Sequence, residues 1–141
     1  MSKTPLATHS RSSTFWMILG SLDAAVAVGF AAATAHLPLH ASFTGGVPAV
    51  QNAVTQHLVH AVVLLGLGFM MRTANATALR WWWLAALAML AGTVLFSLNL
   101  YARALWGVDD WRTWVPRGGM LLILSWLLVA AGAWSNRSSE D

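Results

Sequence analysis

"WWWLAALAMLAGTVLFSLNLYA", residues 81–102, runs from Arg80 to Arg103 without one charged side chain. A helix that crosses the hydrocarbon of a bilayer needs about 20 mostly apolar residues. This stretch meets that length, and its flanking arginines suit the headgroups on either side. Three more segments have the same character. The first covers about 15–35 and carries one charge, Asp23. The second covers about 52–71 and stops at Arg72. The fourth covers about 118–134 and follows Pro116 and Arg117. A proline near a helix start is tolerated, because its missing N–H has no partner to lose there. The expected fold class is therefore all-α: an integral membrane bundle of four transmembrane helices, with 1–141 forming a single transmembrane domain.

Composition supports that reading. The chain has 141 residues, 57% hydrophobic and 9% charged. Soluble domains carry roughly 25% charge, enough to coat a globule in water; this chain does not. The net charge of +3 comes from basic residues spread over loops and ends. They form no basic stripe, so no nucleic-acid partner is expected. The chain has no cysteine, which excludes disulfides, iron–sulfur clusters and thiolate sites. The first apolar segment exceeds the roughly 7–15 residues of a signal-peptide core, so it is expected to remain as a span.

The links set the topology. Residues 36–51, "HLPLHASFTGGVPAVQ", hold Gly-Gly and two prolines and neither Lys nor Arg. Residues 72–80 form a short basic turn, and 103–117 a longer loop of both charge signs. Four spans put both termini and the 72–80 turn on one side, with Lys3, Arg11, Arg72, Arg80 and Arg137. Arg103, Arg112 and Arg117 fall on the other. The basic excess predicts cytoplasmic termini in a bacterial inner membrane. Trp16, Trp81, Trp82, Trp83 and Trp134 fall at the expected inner interface, and Trp106, Trp111 and Trp114 at the outer one. Indole is apolar with one donor and suits that boundary, so "RWWW" reads as an anchor.

Polar residues inside the spans carry the functional question. His57 and His60, three apart, share a helix face. Counting turns gathers His36, His40, His57 and His60 near the outer mouth with Asn99, Tyr101 and Arg103. Asn52, Gln56 and His60 form a stripe at i, i+4 and i+8 that should face other helices, since unpaired polar groups in lipid are costly. Imidazoles at this spacing could ligate haem or a metal, which makes His36, His57 and His60 candidate cofactor ligands. Against that stands a hydrogen-bonded network that caps the bundle. Asp23, near the middle of the first span, is a functional candidate by position, for proton coupling or for a buried hydrogen bond. Thr93 and Ser125 count to a similar depth. Small residues, Ala25, Gly29 and Ala33 at every fourth position and Gly66, Gly68, Gly92, Gly118 and Gly119 elsewhere, are expected where helices approach closely. No Ser/His/Asp set, phosphate loop or dinucleotide fingerprint is present.

The last two segments resemble a small bacterial membrane-protein family known as domain of unknown function four hundred and twenty-three. Its pattern of Leu-Phe-Ser, two residues, Leu-Tyr, then Ala-Leu and Gly matches Leu95, Phe96, Ser97, Leu100, Tyr101, Ala104, Leu105 and Gly107. A Pro-x-Gly-Gly and a later Trp match Pro116, Gly118, Gly119 and Trp126. Upstream, Ala35-His36 and the Ala53-Val54…His60-Ala61 pattern also match. Departures fall at Ala31 and Thr34, where the family has glycine, at Gln56-His57, where it has Tyr-Gln, and at Asp23, where it has Asn. The resemblance implies a four-helix membrane protein without assigned catalytic residues. It marks His36, His60, Ser97 and Tyr101 as family-like and sets His57 and Asp23 apart.

Together these readings predict a non-enzymatic accessory, assembly or scaffold protein, without cofactor, that contacts lipids and packs against other membrane subunits or itself. Asp23, His36, His60, Ser97 and Tyr101 are expected to form a structural polar network, with His57 as an optional addition. Two alternatives stand beside it. One is a haem- or metal-binding subunit that uses His36, His57 and His60. The other is a small transporter or channel that uses Asp23.

Overall fold

The computed structural model describes residues 5–137, with side chains from Arg11 onward. Every regular element among them is helical: α1 (Pro5–His36), α2 (Gly46–Met70), α3 (Ala76–Thr93), a π-helical turn (Val94–Leu98), α4 (Asn99–Trp106), a 3₁₀ turn (Arg112–Trp114) and α5 (Val115–Arg137). α3, the π turn and α4 form one continuous span. Four stretches are long and apolar enough to cross a membrane: Arg11–His36, Gly46–Met70, Ala76–Trp106 and Arg112–Arg137.

The helices extend beyond the apolar cores from which the spans were read. α2 begins at Gly46 instead of near Asn52, because Pro48 occupies its first turn, where no backbone donor is required. α3 begins at Ala76 instead of Trp81. Asn75 caps it, accepting at Oδ1 from the Ala78 N–H at 2.8 Å, so Arg80 lies inside the helix and does not bound it. Gly107, at φ +68°, ends α4 in the left-handed conformation that glycine adopts most cheaply.

α1 packs against α2 and α3 against α5, and α2 also touches α3, the π turn and α4. Two apolar layers result. One joins Trp16, Leu64, Leu67, Met71, Trp82 and Met89; the other joins Phe43, Val50, Ala53, Leu100, Tyr101 and Ala104. His57 and His60 lie between them along α2.

Glycines set the closest approaches. A Cβ on Gly20 would sit 2.5 Å from the Leu65 backbone nitrogen, and one on Gly68 2.7 Å from the Met17 nitrogen. On the other side, a Cβ on Gly118 would sit 2.6 Å from the Phe96 nitrogen and one on Gly92 2.6 Å from Leu122 Cδ2. The Ala25–Gly29–Ala33 repeat plays no such part. Ala25 and Gly29 are exposed, and the space beside Gly29 is open. Gly66 is likewise uncrowded.

The tryptophans divide in two. Trp16 and Trp82 are buried, and Trp82 donates Nε1–H to the Val129 carbonyl at 3.2 Å. Trp83 is half-buried and donates to Ser12 Oγ. Here packing wins over anchoring, because the central ring of "RWWW" turns toward α5. Trp81, Trp106, Trp111, Trp114 and Trp134 remain exposed, as anchors require.

Candidate functional site

The α1–α2 crossing determines what meets across it. Gly20 rests on the α2 backbone at Leu64–Leu65, and Ser13 Oγ donates to the Gly68 carbonyl at 2.6 Å. Asp23 follows Gly20 by three residues and shares its face. His57 precedes Leu64 by seven, two turns, and likewise shares its face. The two side chains therefore meet: His57 Nε2 lies 3.1 Å from Asp23 Oδ1. Both residues fall near the middle of their spans. His57 lies deeper than the sequence suggested, because α2 starts six residues earlier. Its imidazole is fully buried, while Asp23 keeps 15% of its side chain exposed.

Tyr101 completes the cluster from α4. Its ring centroid lies 5.9 Å from that of His57 and stacks on Phe30 at 4.3 Å. Helical side chains lean toward their own N-termini, so His57 on α2 and Tyr101 on the oppositely directed α4 lean toward each other. Ser97 is fully buried one turn before Tyr101. Three polar atoms in this region, His57 Nδ1, Ser97 Oγ and Tyr101 Oη, are buried without a hydrogen-bond partner. Such groups are uncommon in folded proteins and costly. A carboxyl beside an imidazole can exchange one proton between them, and the phenol and hydroxyl supply further donors and acceptors.

The expected network is rearranged. His60 does not join His36, Ser97 or Tyr101. Its Nδ1 donates to the Gln56 carbonyl at 2.6 Å, and its Nε2 accepts from Trp126 Nε1–H at 3.2 Å. Because the carbonyl only accepts, the proton sits on Nδ1, and both ring nitrogens are occupied by protein partners. His36 is exposed at the end of α1, beyond reach of the cluster. Asp23 meets His57, the histidine that was expected to be optional. His36, His57 and His60, the candidate ligand set, therefore face different surroundings. Among the described residues no group of three or more His, Cys, Asp or Glu gathers as a metal site would require. Of the polar stripe, Asn52 is exposed and Gln56 half-buried, so α2 is turned to present Ala53, His57, His60 and Leu64 inward.

The other polar groups fasten the ends. His40 accepts at Nδ1 from the Ser42 N–H, and its own N–H donates to the Ala104 carbonyl at 2.6 Å. Asn99 donates Nδ2–H to the Trp111 carbonyl at 2.7 Å, and Arg103 pairs with Asp109 at 2.6 Å. Ser125 bonds within α5 to the Leu122 carbonyl, and Thr93 is buried at the end of α3, in the second helix pair and not beside Asp23. Sequence reasoning missed Phe30 and Trp126 as partners, because a lone aromatic in an apolar span carries no signal of direction.

Comparison with known proteins gives a consistent picture. The family described as "Protein of unknown function (DUF423)" matches residues 30–119, which include His36, His57, His60, Ser97 and Tyr101. The UPF0382 membrane protein of Staphylococcus saprophyticus is 31% identical over 117 residues, 83% of this chain and 94% of its own. The UPF0382 inner membrane protein YgdD of Escherichia coli K12 is 26% identical over 122 residues, 86% of this chain and 91% of its own. The UPF0382 membrane protein YwdK of Bacillus subtilis is 29% identical, covering 84% and 94%. No solved structure matches. With four apolar helices of spanning length and relatives that are membrane proteins, the chain is a multi-pass protein of the bacterial cytoplasmic membrane in contact with its lipids. A family match over most of the chain, with a relative 31% identical along 83% of it, makes it a member of the DUF423 family.

Proposed function

We propose that the protein is a non-enzymatic accessory or scaffold subunit, one transmembrane unit that docks against a helix of another membrane protein. The observation that carries this reading is the outward face of α1. Ala25 and Gly29 are exposed there, and nothing lies within 4 Å of a Cβ placed on Gly29. In membranes, small residues four apart let a second helix approach closely, and dispersion and weak hydrogen bonds then hold it. This bundle leaves such a face unfilled while it packs Gly20 and Gly68 inward. The Asp23–His57 contact serves in this reading as an internal fastening between α1 and α2. The test is purification from native membranes in mild detergent. A defined membrane partner, or a second copy, should accompany the parent and be lost from Gly29→Leu without loss of the bundle. Recovery of the parent without companion protein, or equal recovery with the variant, would count against it.

The Asp23–His57 contact favours a second reading, proton-coupled transport. A carboxyl and an imidazole near the middle of their spans can pass a proton between them. Flux into proteoliposomes that is abolished by Asp23→Asn would support it.

A further inference from the structure

The far mouth of the bundle carries two apolar grooves that share one wall. The first, about 580 Å³, is bounded by Phe30, Leu95, Leu98, Trp106, Trp111 and Trp114. The second, about 650 Å³, is bounded by Leu95, Trp114, Arg117, Met120 and Leu124. Leu95 and Trp114 belong to both, so the two troughs adjoin at these side chains. Each lies within the roughly 300–1,000 Å³ typical of small-molecule sites. Asn99, a polar member of the first wall, donates Nδ2–H to the Trp111 carbonyl, and the rest of that wall is apolar or aromatic.

A cation lines the second trough. The Arg117 guanidinium lies 4.5 Å from the centre of the Trp114 ring, which holds it at the rim. Arg112, five residues earlier at the start of the 3₁₀ turn, is exposed in the same loop. Arg103 is neutralised by Asp109, and among the described residues neither Arg112 nor Arg117 has an ion-pair partner. Asp110 is exposed in the same loop, but arginines outnumber acids there.

From this geometry we infer that the mouth binds one anionic two-chain phospholipid. Its acyl chains lie one in each trough astride Trp114, and its phosphate sits against Arg117 and Arg112. A zwitterionic headgroup would bring its own cation to the same arginines and lose the charge complementarity. A single-chain lipid would leave one trough without its occupant.

The test uses the full-length protein in bicelles that contain phosphatidylglycerol and phosphatidylethanolamine of identical chains in equal amounts, read by native mass spectrometry. The parent should retain one phosphatidylglycerol, favoured about fivefold or more per engaged arginine, the weight of one cation at an anionic surface. Arg117→Gln should remove about fivefold of that preference. Arg72→Gln, exposed at the opposite end, should leave it unchanged. Val94→Trp, at an exposed position on the first trough, should lower retention of both lipids. Lyso-phosphatidylglycerol should be held more weakly than the two-chain lipid. Equal retention of the two headgroups by the parent would overturn the inference. So would an Arg117→Gln effect no larger than that of Arg72→Gln, or lyso-lipid held as well as the two-chain form.

Discussion

Replacing Asp23 by leucine should strand an imidazole inside the membrane. His57 is fully buried, and its Nδ1 has no partner, so the contact to Asp23 at 3.1 Å is its one side-chain hydrogen bond among the described residues. An interhelical hydrogen bond in a membrane protein contributes about 0.6 kcal/mol on average and about 1.7 at most. A buried polar group left without any partner costs more, about 1–3 kcal/mol. Asp23→Leu should therefore lower the unfolding free energy by about 1–3 kcal/mol. Asp23→Asn keeps an acceptor at nearly the same place and should stay within about 0.6 kcal/mol of the parent. The decisive variant adds His57→Phe to Asp23→Leu. It removes the stranded nitrogens and leaves an aromatic ring beside Tyr101. When both members of a buried polar pair give way to apolar groups of similar shape, stability is often nearly unchanged. The double variant should thus recover most of what Asp23→Leu loses. Reversible unfolding by SDS in bicelles, followed by far-ultraviolet circular dichroism, measures all three. A double variant less stable than Asp23→Leu would refute the reasoning.

Three further outcomes follow from the packing and the loops. Gly20→Leu should destabilise by about 1–3 kcal/mol in the same assay, because its side chain meets the α2 backbone. Gly29→Leu, in open space, should leave unfolding unchanged, and an equal loss in both would contradict the glycine contacts. Asn75→Ala should cost about 1–2 kcal/mol or more, since one side chain caps α3 and also bonds the Ser135 carbonyl at 2.8 Å. Single cysteines at Ser42→Cys and Thr73→Cys should report the topology on intact cells. An impermeant thiol reagent should label the first and spare the second if the termini are cytoplasmic, and the reverse pattern would invert the orientation.

The four spans were legible because length and hydropathy alone specify them. Their ends were not, because glycine, proline and arginine mark loops in soluble proteins yet fit easily into helix turns at a membrane interface. Pro48 and Arg80 both lie inside helices for that reason. The polar cluster was legible in its membership and illegible in its pairing. A helix that is apolar all round gives no clue to which side faces inward. The Asn52–Gln56–His60 stripe suggested one rotation of α2, while Ala53, His57, His60 and Leu64 reveal another. What sets that rotation is the contact of Gly20 with Leu64–Leu65 and of Gly68 with Met17. Gly68 was noted as a packing residue, but nothing in its spacing named its partner. The same ambiguity hid the side of the Ala25–Gly29–Ala33 repeat, whose period is right for a helix contact and whose Ala25 and Gly29 face outward.

The π turn at Val94–Leu98 has a consequence for how such chains diverge. A π turn is in effect one residue inserted into a regular helix. Upstream of it Gly92 faces α5, and downstream of it Tyr101 faces His57 and Phe30. Deleting a single residue within the turn would rotate everything after it by about 100°. Tyr101 would then leave the α1–α2 crossing, while span length, composition and hydropathy profile stayed almost unchanged. Two chains alike in this helix at every other position could thus differ by one codon in whether the polar cluster exists at all. What such a lineage must preserve is phase, and an insertion or deletion here weighs more than most substitutions.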